Sequence, residues 1–300
     1  NVLVKKCSVF NLSLMYYTNI IMMKNNQFLG FILLFFNTLS VFSQKLKTND
    51  SLAISYLEKA YSYSYYSPNF QKYLDSAISI KPQEPYFWQQ KSMPFFKQRK
   101  YEKGMSYLNR AVELDTTGEY LEYRAFIKCI FQKNYQSSLD DFFKSKEKYM
   151  NGYVMDHSYN FYISLSYLQL GDLEQAEKYI LNSIEYEEKS FGKNGVNYLD
   201  LFYYAIILME KERYNEALII LQQVVGFYNK FSDAMYYIGF CHYHLGYYKT
   251  SLEYFNLSKK FLKEGYSFTE ANSIYEPYPY QIYMHNIDAF ISRLNNFGYK

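Results

Sequence analysis

Beyond residue 50 the hydrophobic and polar positions of the chain recur as a block. Small residues stand at Gly104, Ser138, Ala176, Ala217 and Ser251, separated by 34, 38, 41 and 34 positions. Four residues after each comes a large apolar side chain: Leu108, Phe142, Ile180, Leu221 and Phe255. Three further on stand Ala111, Ser145, Ser183, Val224 and Ser258. These offsets place all three positions on one face of a helix. A weaker copy puts Phe70, Leu74 and Ala77 another 34 residues back and ends at Pro82. Turns precede the blocks, as at Leu170-Gly171-Asp172-Leu173 and Leu245-Gly246-Tyr247-Tyr248. The pattern predicts about six helical hairpins over residues 51–265. A small residue on the second helix of a hairpin lets the first approach closely, and the large residue four on fills the groove beside it. One hairpin cannot bury its apolar face, whereas stacked hairpins share a continuous core. The last one then needs a cover. Tyr283, Ile287, Phe290, Ile291 and Leu294 recur at helical spacing and predict a capping helix over 281–297, set off by Pro277 and Pro279 and followed by Gly298.

The repeat resembles the tetratricopeptide repeat (TPR), a helix–turn–helix of about 34 residues with the pattern W-x₂-L-G-x₂-Y, then A-x₃-F, then P. Trp88 with Phe95, Ile163-Ser164 with Tyr167, and Ile238-Gly239 with His242 fill the first-helix slots, while Lys91, Glu58 and Phe126 depart from them. The resemblance implies an all-α fold: a TPR solenoid, a right-handed superhelix of helix–turn–helix repeats, with a C-terminal capping helix. The junction between the fourth and fifth copies is longer than standard and contains Ser190-Phe191-Gly192-Lys193-Asn194-Gly195. It reads either as a surface-loop insertion or as a longer type of repeat.

The first 43 residues have a different character. From Met23 a short polar stretch with Lys24 leads into the apolar run Phe28 to Phe36, extended to Phe42, and Val41-Phe42-Ser43 suits a cut ahead of Gln44. Residues 23–43 therefore read as a signal peptide, with an uncleaved anchor as the alternative. Residues 1–22 read as an upstream extension outside the mature protein. The expected location is periplasmic or secreted, without membrane insertion once the signal is removed. Residues 1–43 carry Lys5, Lys6 and Lys24 and no acidic residue, which leaves 29 basic and 29 acidic residues in the remainder. That balance does not point to nucleic acid as a partner.

No catalytic constellation stands out: the sequence lacks a Gly-rich phosphate loop, an H-E-x-x-H and a G-x-S-x-G. Of the four histidines, His242 and His244 are two apart on a predicted helix and point to different faces, so no metal site is expected. No cofactor is expected either, and the protein reads as a non-enzyme. Asp140-Asp141 and Glu187-Glu188 read as solvated helix surface. Cys129 and Cys241 fall three repeats apart, too far for a disulfide, and are expected as two thiols partly buried in their own first helices.

Aromatic residues make up 21% of the chain, with 38 Tyr and 25 Phe, against 12 Gly and 6 Pro. Coding bias towards A+T accounts for such an excess as readily as function does. The resemblance places first helices on a concave surface where peptides bind. Carried over, the register puts Tyr86, Gln89, Met93 and Phe96 on that groove, then Tyr120, Tyr123 and Ile127. Phe161 with Leu165, Phe202 with Ile206, and Tyr236, Phe240 and Tyr243 follow. An aromatic groove favours an apolar or aromatic-bearing segment. The same rings packed on neighbouring repeats would leave no free site. The expected function is a scaffold binding a partner peptide or protein through this groove; the alternative is a sensor or adaptor of an envelope signalling system.

Overall fold

A computed structural model describes residues 48–298. The extension over 1–22 and the signal segment over 23–43 lie outside the described residues. The architecture is an all-α helical repeat. Helical residues 48–61 (α1) pair with α2 (Pro68–Ile80), and α3 (Pro85–Lys97) pairs with α4 (Tyr101–Leu114). Next come α5 (Glu119–Ile130) with α6 (Tyr135–Lys148) and α7 (Tyr159–Leu170) with α8 (Leu173–Phe191). Finally α9 (Tyr198–Glu210) pairs with α10 (Tyr214–Phe227) and α11 (Ser232–His244) with α12 (Tyr248–Lys263). A last helix, α13 (Met284–Asn296), packs on α12 with Ile287 and Leu294 buried.

Every position of the small–large–small register is buried. The small residues let backbones touch. The Ser138 hydroxyl on α6 donates to the Ala125 carbonyl on α5 at 2.8 Å, and the Ser251 hydroxyl on α12 to the Gly239 carbonyl on α11 at 2.7 Å. In the fourth repeat the direction reverses, and Ser164 on α7 donates to Ala176 on α8 at 2.7 Å. A Cβ on Gly104 would stand 2.7 Å from the Phe96 ring, which shows how closely α3 and α4 approach. Turns within five hairpins carry a left-handed residue two positions before the second helix: Arg99, Lys133, Gly171, Glu212 and Gly246, with φ of 58°, 55°, 80°, 57° and 82°. Side-chain caps at Asn134 and Asp172 then start α6 and α8.

Departures from the repeat have local causes. Lys91, out of place in a family slot, is buried but pairs with Asp75 and lies over the Tyr107 ring. Extra residues between the fourth and fifth repeats lengthen α8 to 19 residues and form a 3₁₀ turn, Lys193–Gly195. Between the third and fourth repeats the chain makes a small antiparallel hairpin, β1 (Tyr153–Val154) with β2 (His157–Ser158).

Two expected surface acids are in fact inside. Asp141 is buried because Arg124 grips it with two hydrogen bonds, at 2.7 and 2.8 Å, and Lys128 adds an ion pair at 2.6 Å. Glu187 is buried because the lengthened α8 carries it into the next junction, where it accepts the Asn197 backbone N–H at 2.9 Å. Cys129 and Cys241 are free thiols, both wholly buried.

Candidate binding groove

Residues 264–283, between α12 and α13, carry no regular secondary structure and lie along the first helices of the array. Their two ends are anchored together at the start of α11. The Ser232 N–H donates to the Tyr266 carbonyl at 3.1 Å, and Asp233 accepts the Ile282 N–H at 2.8 Å and the Ser267 hydroxyl at 3.0 Å. Burial pushes the Asp233 carboxyl up to about 6 despite these donors. Between the anchors the chain runs out and back. Outbound, Phe268 inserts among Phe202, Phe231 and Tyr278, with ring centroids 5.6, 5.3 and 5.9 Å away. Thr269 hydrogen-bonds the Tyr198 hydroxyl at 2.8 Å. The far end reaches the second repeat, where Lys97 lies over the Tyr275 ring and Tyr101 donates to Glu276 at 2.5 Å.

On this path the array reads backbone. Arg99 donates to the Tyr275 carbonyl at 3.2 Å, and Lys133 to the Pro277 carbonyl at 2.5 Å. The Tyr203 hydroxyl donates to Pro279 and the Tyr237 hydroxyl to Tyr280, both at 2.8 Å. Tyr162, Tyr203 and Tyr237 occupy one register position, 14 residues before Ala176, Ala217 and Ser251. Burial raises all three hydroxyls well above the ordinary tyrosine range, which keeps them as donors. The positions expected from the register, Phe161, Phe202 and Tyr236, stand one residue earlier; the recurrence of Tyr in three successive repeats is the sequence signal for this position.

The residues expected along the groove divide into groups. Phe161 and Phe202 are fully buried, Phe202 under Phe268 and Phe161 stacked on His157 at 4.0 Å. Phe96 lies not on the groove but between helices, against Gly104 and Phe131. Tyr236, Phe240 and Tyr243 gather on Phe290 of α13, at 5.9, 5.6 and 5.3 Å. In the second and third repeats Tyr86 is exposed and Tyr120 and Tyr123 are half-buried; the Tyr86 hydroxyl meets that of Tyr61 at 2.7 Å.

Beneath the loop sits a charged cluster that no motif announced. His157, wholly buried on β2, has Nδ1 3.8 Å from Asp200 and Nε2 3.4 Å from Glu270 of the loop. Burial alone pulls its pKa down, but the two carboxylates outweigh it and push the imidazole up to about 9. Burial, with Asp200 close by, raises Glu187 to about 7. A separate open cleft of about 490 Å³ lies between the third and fourth repeats, lined by Glu119, Glu122, Tyr149, Tyr153 and Tyr159. Tyr159 donates to Glu122, and burial pushes that carboxyl up to about 7. Among the described residues no group of three or more His, Cys, Asp and Glu side chains is placed to hold a metal ion, and no helix is long and apolar enough to cross a membrane.

Sequence comparison finds no match among curated proteins. The tetratricopeptide repeat family model matches residues 158–190, which span α7 and α8. Among solved structures, PilW, described as a widely conserved type IV pilus biogenesis factor, aligns with a TM-score of 0.58 at 13% identity, covering 76% of this chain and 98% of its own. A tetratricopeptide repeat protein from Parabacteroides merdae gives 0.58 at 14% identity, with 82% and 100% covered. PilF from Pseudomonas aeruginosa gives 0.55 at 14%, with 73% and 95% covered. At these identities the likeness speaks for fold. The chain thus carries a match to the tetratricopeptide repeat at residues 158–190, continued in register on both sides, and has the all-α helical repeat fold of the tetratricopeptide structures it resembles.

Proposed function

We propose that the protein is a non-catalytic scaffold that binds a segment of a protein partner along the inner face of its repeats. Helical repeats of this type generally mediate protein–protein interaction. One observation carries the reading for this chain: an irregular stretch of polypeptide already lies along the first helices, held through its backbone carbonyls. Exposed Tyr86 and half-buried Tyr120 and Tyr123 supply the remaining aromatic surface of the early repeats, where rigid rings with a polar tip suit a peptide. The segment over 23–43 supports an envelope or secreted location, which fractionation with N-terminal sequencing at Gln44 tests.

Capture of partners from an envelope fraction, with Tyr86, Tyr120 and Tyr123 changed together to Ala, tests the scaffold. Loss of captured protein with the helical signal intact is the expected result. Unchanged capture removes the groove from the account.

A further inference from the structure

The loop reveals what kind of segment the groove accepts, an inference that rests on the scaffold reading above. We propose that the groove is built for an irregular, turn-containing partner segment in which Pro alternates with Tyr behind a Glu, and that residues 268–281 are an internal occupant which such a segment displaces.

The chemistry of the lining carries the first half. Facing the return path, the array presents donors: the Arg99 guanidinium, the Lys133 ammonium and the Tyr203 and Tyr237 hydroxyls. They meet the carbonyls of Tyr275, Pro277, Pro279 and Tyr280. A row of donors satisfies carbonyls and leaves backbone N–H groups without partners, which is costly once water is excluded. Proline has no N–H, so a chain with Pro at alternate positions offers this wall what it can bind and little that it cannot. Of the two prolines, Pro279 is buried, and Tyr278 between them is 2% exposed. Glu276 completes the match, taking the Tyr101 hydroxyl at 2.5 Å with Arg99 Nε 3.5 Å away.

The second half rests on how the loop is attached. Both ends are tied to Ser232 and Asp233, so the excursion between them is an Ω-loop whose ends are already close. It can leave the groove as a unit while α12 and α13 stay packed. Its backbone is also strained in place, because Tyr280 is held at a left-handed φ of 62°, unfavourable for a bulky side chain. At the far end Ile274 is 77% exposed, so that turn is not locked into the core.

An attached occupant competes at an effective concentration on the order of millimolar. A free peptide should therefore bind wild-type protein weakly and bind tighter when the loop alone is weakened. The probe is a fluorescent peptide with the sequence of residues 273–282, titrated by anisotropy against the full chain. Phe268→Ala and Tyr278→Ala remove loop contacts and leave the donor wall intact; each should tighten peptide binding at least tenfold. Adding Tyr203→Phe and Tyr237→Phe should reverse the gain, and a peptide with both prolines changed to Ala should bind at least tenfold more weakly. No peptide binding by either loop variant, with helical content preserved, overturns the proposal, as does equal binding of the Ala peptide. A measurement on wild type guards against misfolded variants: amides of 268–281 should exchange at least tenfold faster than those of α11, and equal protection makes the loop a fixed part of the core. Loss of peptide binding with partner capture still dependent on Tyr86, Tyr120 and Tyr123 sinks this inference alone; the reverse sinks the scaffold reading.

Discussion

Raising the pH should destabilise the protein in a window set by one buried ring. His157 is enclosed by Asp200 from α9 and Glu270 from the loop, with Glu187 of α8 close by and Phe161 stacked on its face. Its pKa rises from 6.5 to about 9. Because the folded value lies above the unfolded one, the protonated ring stabilises the fold. That contribution is complete below pH 6.5 and lost as pH rises through about 9. At about 1.4 kcal/mol per unit, the loss between pH 7 and pH 9 comes to roughly 2 kcal/mol. Glu187 and Asp233, pushed up to about 7 and 6, also cost stability as they ionise, but they do so mainly below this window. Urea unfolding followed by circular dichroism at pH 7, 8 and 9 measures the loss directly. Glu270→Gln should flatten the dependence in part, and His157→Gln should abolish it. A fall of equal size in wild type and His157→Gln would refute the assignment.

Three further outcomes follow from the packing. Arg124→Ala leaves Asp141 buried with Lys128 alone and should cost about 3 kcal/mol in urea unfolding, of which Asp141→Asn in the same background recovers a part. Gly104→Ala gains about 1 kcal/mol of helix preference but drives a methyl into the buried Phe96 ring; with overpacking of about 2 kcal/mol it should be a net loss, relieved by Phe96→Leu. Cys129 and Cys241 are buried and their thiols raised, to about 11 and about 12, so in protein starting at Gln44, which lacks Cys7, a thiol reagent should find neither in the native state and two after denaturation.

The hairpins were legible because each depends on a periodic requirement. Close approach of two helices demands a small residue, and Gly104, Ser138, Ala176, Ala217 and Ser251 state it in turn. The loop was not legible, because nothing periodic marks a stretch held by its carbonyls; Pro277 and Pro279 looked like a mere spacer before α13. Side-chain direction also limited the groove. The register places Phe161, Phe202 and Tyr236 on the first helices, yet one helical position decides whether a side chain can hydrogen-bond the loop's backbone: Phe202 meets the loop only through the Phe268 ring. Tyr203 and Tyr237 hold that deciding position and donate to Pro279 and Tyr280, while Tyr162 at the same position donates to Met155. Asp141 and Glu187 escaped because burial of an acid depends on partners from other helices, Arg124 in one case and the lengthened α8 in the other.

The loop also changes how the array can come apart. In an open solenoid each repeat touches its neighbours alone, so unfolding can begin at an end and stop partway. Here Arg99 in the second repeat bonds Tyr275, 176 residues later, and Lys133 in the third bonds Pro277, 144 residues later. These ties join the early repeats to the segment that follows the last, and they make the unfolding of one end conditional on the other. Their long sequence separation makes them slow to form, so local hairpins should assemble first and loop docking should close the sequence of events. With the loop docked, equilibrium unfolding should show one transition; with it out of the groove, the two ends of the array should melt separately.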